Sequence, residues 1–205
     1  MTYSTLSINL LSLLIGYIMG SFPSGYLAGR LISNIDLREI GSGSTGATNV
    51  LRHVGKTPAL VVFLLDVGKG IGAILIARTL QLDEAWQIIV GVASLSGHIW
   101  PIWLKGKGGK AVATGLGVFL GISYQVGFGS LGIFLIVLII WRIVSLASVC
   151  AAISLPLLMH LSLQGNTSTP YMLFSLIAMA LVLWRHRTNL IRLSKGTEPR
   201  IGTQS

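Results

Sequence analysis

Long apolar runs alternate with short polar breaks along almost the whole chain. Seven such runs can be read: Ile8–Ala28, Pro58–Ala77, Trp86–Trp103, Ala111–Ile122, Val126–Trp141, Val144–Leu161 and Tyr171–Trp184. In lipid the backbone must satisfy its own hydrogen bonds, and about 20 apolar residues of helix cross a hydrocarbon layer about 30 Å thick. The pattern therefore predicts an all-α integral membrane protein of seven transmembrane helices, folded as a single domain over residues 1–205, with no internal repeat.

The stretch from Ala111 to Trp141 decides the topology, because it carries no charge. As one helix it would be about 46 Å long at about 1.5 Å per residue, half as long again as the hydrocarbon layer. Gly121, Tyr124, Gln125, Gly127 and Gly129 offer a turn in its middle. A hairpin here returns Arg142 to the side of Lys105, Lys107 and Lys110. No Lys or Arg precedes Arg30, so the basic start of a signal peptide is missing and the first run is expected to stay as a span with its N-terminus outside. Seven spans then gather thirteen of the fifteen basic residues inside, with the C-terminus cytoplasmic. Arg78 stands outside with Asp83 and Glu84, and Lys69 lies within a span. A single span over 111–141 would put the basic tail outside, against the excess of Lys and Arg that cytoplasmic loops carry.

Composition agrees. Of 205 residues, 52% are hydrophobic and only 10% charged, against about 25% in soluble domains. The balance of 15 basic to 6 acidic residues would suggest nucleic acid on a soluble protein; between membrane spans it orients helices and binds anions, so no nucleic-acid partner is expected. The single Cys150 excludes an intramolecular disulfide and reads as a small buried apolar residue.

Two loops carry candidate chemistry. The first, Arg38 to Arg52, contains Gly41-Ser-Gly-Ser-Thr-Gly-Ala-Thr-Asn49. Glycines let successive backbone N–H groups aim at one point, Ser42, Ser44, Thr45 and Thr48 add hydroxyl donors, and Arg52 adds a cationic fork, a set suited to a phosphoryl group. Gly41, Gly43 and Gly46 also fit a dinucleotide fingerprint, with Asp66 twenty residues on. That motif needs a parallel sheet, which a chain of membrane spans does not supply. The second loop ends in Lys107-Gly-Gly-Lys110 and opens into the fourth span, whose helix N-terminus adds free N–H groups and its dipole. Elsewhere, Ser21-Phe-Pro-Ser24 is expected to break the first span and His98 to orient its loop by hydrogen bonding. Asp66 and Lys69, three apart, form either a structural ion pair or a binding pair. His186 and Asn189 share one helical face.

Gly20-Ser-Phe-Pro-Ser24, the loop from Gly41 to Arg52, Asp66-x-x-Lys-Gly70, Gly97-His-Ile-Trp-Pro101 with Lys107-Gly-Gly-Lys110, Ser145-Leu-Ala-Ser148 and His186-x-x-Asn189 occur in this order. Together they resemble the bacterial acyl-phosphate:glycerol-3-phosphate acyltransferases, the PlsY family, over nearly the whole chain. The resemblance implies seven spans, a cytoplasmic active site in the bacterial plasma (inner) membrane, and synthesis of lysophosphatidic acid. The substrates would be acyl-phosphate and glycerol-3-phosphate, with no cofactor and no metal. It implies that Ser42 to Asn49 hold the donor's phosphate: Gly43, Ser44, Thr45, Gly46, Ala47, Thr48 and Asn49 as binding residues, alongside Lys107, Gly108 and Gly109. Arg52, Lys110, His186 and Asn189, with Ser42, would hold glycerol-3-phosphate, and Ser145 would line the same site. Two departures stand out: Ser44 occupies the family's usual Asn position, and Gly106 and Ala111 replace a Phe and a Gly around the second loop.

An acyl-phosphate is already activated, so positioning and charge stabilisation suffice. No histidine has an Asp five residues on, and no Ser-His-Asp set is evident. The resemblance implies that the donor's or acceptor's own phosphate takes the proton, with His186 the competing candidate. A phosphate or organophosphate transporter is the alternative reading, although every anion-binding group gathers at one face. A non-catalytic membrane subunit would leave both glycine-rich loops unexplained. One chain supplies both phosphate sites, so a monomer suffices among membrane lipids, with room for contact with an enzyme that makes acyl-phosphate.

Overall fold

The computed structural model describes residues 3–162 and 168–202. All regular structure among them is helical: α1 (Tyr3–Ser21), α2 (Ser24–Ser33), α3 (Ala47–His53), α4 (Lys56–Thr79), α5 (Glu84–Ile99), α6 (Val112–Ile122), α7 (Tyr124–Trp141), α8 (Val144–Ser162), α9 (Thr169–Arg185) and α10 (Arg187–Ser194). Five segments are long and apolar enough to cross a membrane: Leu6–Ser33, Lys56–Thr79, Glu84–Leu104, Tyr124–Trp141 and Val144–Ser162. Two more, Val112–Ile122 and Thr169–Arg185, are apolar but shorter. Large apolar side chains stand exposed along α1 (Leu10, Leu11, Leu14) and α7 (Phe128, Ile136, Ile139). That surface would be costly in water and is at home in lipid.

Each expected run is a helix, with instructive differences. The first run is two helices, because Pro23 carries no N–H and the chain turns at Phe22–Pro23 before α2 starts. The break in the long uncharged stretch falls at Ser123, whose extended backbone and hydroxyl cap α7. Gly127 and Gly129, read as turn residues, lie inside α7; a Cβ on Gly129 would come within 3.1 Å of Leu158, so these small residues serve the α7–α8 contact. Cys150 is half-buried.

The chain forms two compact units, Met1–Ile122 and Ser123–Ser205. In the first, α1 packs on α5 and α4 on α6. Both contacts are backbone to backbone: a Cβ on Gly20 would collide with the Ser94 carbonyl, and one on Gly117 with the Val67 carbonyl. α3 covers the start of α4 over buried Leu37, Val50, Ala59 and Val62. In the second unit α8 packs against α7 and α9, and α10 rests on both α8 and α9. The tail returns to the α7–α8 turn, where the Ile201 N–H donates to the Arg142 carbonyl at 2.7 Å.

Candidate active site

The first glycine-rich loop is built on two buried polar groups. At its base, Asp36 accepts from Arg38 Nε at 2.9 Å and from Arg38 Nη2 and Arg30 Nη2, all over the ring of Tyr26. The hydrogen bonds from Arg38 hold the Asp36 carboxyl well below the usual carboxylate range despite its burial. At its centre sits Asn49. Its amide nitrogen shares two hydrogens among the carbonyls of Leu37, Ile40 and Ser44 at 2.9–3.0 Å, and its Oδ1 accepts the Ser42 N–H. Gly41 takes φ +61°, and a Cβ there would collide with His53 Nε2. The loop is thus clamped from within, with Ser42, Gly43 and Arg52 exposed on its outside, Gly46, Ala47 and Thr48 half-buried, and Ser44 and Thr45 buried. The Ser44 hydroxyl accepts the Gly46 N–H, so the residue in the family's Asn position works inside the turn. From Ala47 the loop is already helix α3, a seven-residue element too short to show a periodicity in sequence.

The second loop doubles back on the end of α5. The Gly108 and Gly109 N–H groups donate to the carbonyls of Ile99 and His98, which close the end of that helix. A Cβ on Gly108 would collide with the His98 carbonyl, and one on Gly109 with His98 Nε2. The glycine pair therefore lets the loop lie flat on His98, leaving Lys107 exposed and Lys110 half-buried two residues before α6. Lys105 and Gly106 make the turn with positive φ. Ala111, where the family has Gly, also has φ +60°. That backbone costs about 1 kcal/mol for an L-residue. Its buried methyl returns about 0.8 kcal/mol, so the departure is close to neutral.

Asp66 and Lys69 form an ion pair of 2.8 Å at the centre of a larger buried cluster. Ser24 Oγ donates to Asp66 Oδ1 at 2.7 Å, Lys69 Nζ donates to the Phe22 carbonyl at 3.2 Å, and His98 Nδ1 stands 3.7 Å from Asp66. This pins the α1–α2 break to α4 and α5. Sequence reading singled out every member but not the link between them, because Ser24 and His98 lie 42 residues before and 32 residues after Asp66.

In the second unit the organising group is Glu198, which the sequence reading did not single out. Its carboxylate accepts from Ser145 Oγ at 2.8 Å, Asn189 Nδ2 at 2.6 Å and Arg192 Nε at 2.7 Å. Burial alone would raise its pKa, but the hydrogen bonds from Asn189, Ser145 and Arg192 outweigh that and lower it. One signal was available: Glu198 is the only acidic residue after Glu84. His186 lies at the α9–α10 junction, rather than within one helix with Asn189, and its Nδ1 is 2.8 Å from the Val182 carbonyl. That contact makes Nδ1 the protonated nitrogen, so a neutral ring offers Nε2 as acceptor. Among the described residues no cluster of three or more His, Cys, Asp or Glu is placed to hold a metal.

The model of one protein family, described as glycerol-3-phosphate acyltransferase, matches residues 10–196. A glycerol-3-phosphate acyltransferase of Prochlorococcus marinus is 72% identical over 98% of both chains. One of Parasynechococcus marenigrum is 60% identical over 96% of this chain and 91% of its own. Among solved structures, the glycerol 3-phosphate form of PlsY (YgiH), an integral membrane glycerol 3-phosphate acyltransferase, superposes with a TM-score of 0.89 at 37% identity, covering 95% of this chain and 96% of that one. Its lysophosphatidic acid form gives 0.86 at 36% identity with the same coverage.

Proposed function

The chain belongs to the glycerol-3-phosphate acyltransferase family and is a membrane acyltransferase, and on that premise we propose that it takes its acyl group from acyl-phosphate. The C1 hydroxyl oxygen of glycerol-3-phosphate attacks the acyl carbonyl carbon. The bond from that carbon to the phosphate oxygen breaks, and the products are lysophosphatidic acid and phosphate. The observation that carries this reading is the first loop, clamped from within by Asn49, on which the Ser42 hydroxyl and the Arg52 guanidinium are exposed. A preformed donor set costs no reorganisation when charge develops on the leaving group.

In this reading residues 42–48 receive the donor's phosphate on a loop that Asn49, expected from sequence as a binding residue, clamps from within, while Lys107 adds charge and Gly108 and Gly109 shape the second loop. Arg52, Lys110, His186 and Asn189 hold glycerol-3-phosphate, and Ser145 lines its site. The hydroxyl proton passes to a phosphate oxygen of a substrate. The test mixes purified protein with palmitoyl-phosphate and glycerol-3-phosphate and follows phosphate release. Arg52→Ala and Lys110→Ala should each raise the KM for glycerol-3-phosphate about tenfold or more, the worth of one charged hydrogen bond. Absence of release from the wild type sinks the donor assignment. If His186→Ala keeps glycerol-3-phosphate affinity but loses turnover, His186 is the base.

The same reading places seven spans, with α6 and α9 as the two shorter crossings, the N-terminus outside, and both loops on the cytoplasmic side of the plasma (inner) membrane, in a chain that acts as a monomer. The distribution of basic residues supports it. Single cysteines at positions 42 and 107, introduced in a Cys150→Ala background, should both react with an impermeant maleimide in inverted vesicles and neither in right-side-out ones. Labelling from opposite faces would separate the two loops and end the proposal.

A further inference from the structure

Ser21 closes α1 with its side chain fully buried, and its Oγ has no hydrogen-bond partner among the described residues. Buried hydroxyls in folded proteins are nearly always bonded, so each exception calls for an explanation. Two others, Ser94 and Thr114, lie at backbone-to-backbone helix contacts, where Gly20 approaches Ser94 and Gly70 approaches Thr114. Ser21 differs, because it lines a cleft at the α1–α2 break together with Ser24, Thr45, Lys69 and His98.

The chemistry of that cleft is one-sided. The Ser24 hydroxyl is committed to Asp66. Lys69 has three ammonium protons, of which one meets Asp66 Oδ1 and a second the Phe22 carbonyl, leaving a third to donate. Ser21 and Thr45 each bring a hydroxyl. The two hydroxyls can each turn a proton inward alongside the Lys69 ammonium, so the three can donate together to one acceptor, and a phosphoryl oxygen has that character. Thr45 also belongs to the loop that the proposed function gives to the donor's phosphate.

We propose that the cleft lined by Ser21, Thr45 and Lys69 is a subsite for a phosphoryl oxygen of the acyl-phosphate, and for the same oxygen on the phosphate that leaves. The inference rests on the acyl-phosphate reading and adds to it two binding residues outside the glycine-rich loop, Ser21 and Lys69. Asp66 holds Lys69 in place, and its negative charge keeps Lys69 from being a bare buried cation.

Ser21→Ala is the informative variant, because the hydroxyl it removes bonds nothing in the fold. The expected result is about a tenfold rise in the KM for palmitoyl-phosphate and in the inhibition constant of inorganic phosphate. The KM for glycerol-3-phosphate and the melting temperature in detergent should stay unchanged. Thr45→Val, which keeps the side-chain shape, should act in the same direction. Unchanged constants for both phosphate species, as a bound water would give, overturn the subsite, as does a rise confined to glycerol-3-phosphate. A wild-type protein inactive with palmitoyl-phosphate overturns the donor reading and the subsite together, and it shows that before any variant is made.

Discussion

Asn49→Ala is expected to destabilise the first unit by about 3 kcal/mol, since it strips partners from the carbonyls of Leu37, Ile40 and Ser44, each worth about 1 kcal/mol when left unsatisfied, while water can replace the partner of the exposed Ser42 N–H. For a chain of this size that corresponds to a melting temperature lower by roughly 6–12 °C, measured in detergent, with faster protease cleavage within residues 41–46 and loss of acyl transfer. Asn49→Asp should be worse still. It keeps the Oδ1 that accepts the Ser42 N–H but turns the amide donor into an acceptor facing the carbonyls of Leu37, Ile40 and Ser44. The order Asp below Ala below Asn in stability is specific to a clamp. If Asn49 acted only as a ligand, both variants would lose affinity and keep the wild-type melting temperature.

The second large effect is at Glu198. Glu198→Ala leaves Ser145 and Asn189 without their shared acceptor and frees Arg192, at a cost of about 3 kcal/mol to the second unit. Glu198→Gln keeps the shape but sets an NH₂ against one of three donors, so it should recover only part of the loss. The pH dependence follows from the lowered pKa of this carboxyl. A depressed acid contributes its stability above the unfolded value of about 4.3 and loses it as pH falls through the lower, folded value. Wild type should therefore lose stability in acid below about pH 4, measured by thermal melts across pH, while Glu198→Gln shows a flatter curve there. A parallel decline in both proteins would mean that other carboxylates carry the acid sensitivity.

These two residues also mark where sequence reading stops. Apolar runs located every long helix, because the lipid solvent leaves the backbone few alternatives, and Pro23 announced the break between α1 and α2. The ligand-like polar residues were harder. Asn49 among glycines and hydroxyls reads as a phosphate contact, yet its amide is turned inward; only the fold reveals that three carbonyls converge on it. Gly108 and Gly109 read as donors for an anion, whereas their N–H groups finish α5. Glu198 gave no motif at all, since its three partners come from α8 and α10 and are brought to it by tertiary packing. Asp66 and Lys69 were visible as a pair, but their link to Ser24 and His98 was not.

The brevity of α6 has a consequence for how two such unlike substrates meet. Eleven residues of helix rise about 16 Å, roughly half the thickness of the oily layer. Lysines and glycines precede it, and Ser123 with Gln125 follows it, so both of its ends want water. In the seven-span reading proposed above, either the bilayer is pinched around this helix or a wet hollow reaches one of its ends. In both cases that reading shortens the journey of a fully soluble sugar-alcohol phosphate, and the proposed acyl-phosphate donor would be met at the depth of its own headgroup with its tail still dissolved among neighbouring lipids.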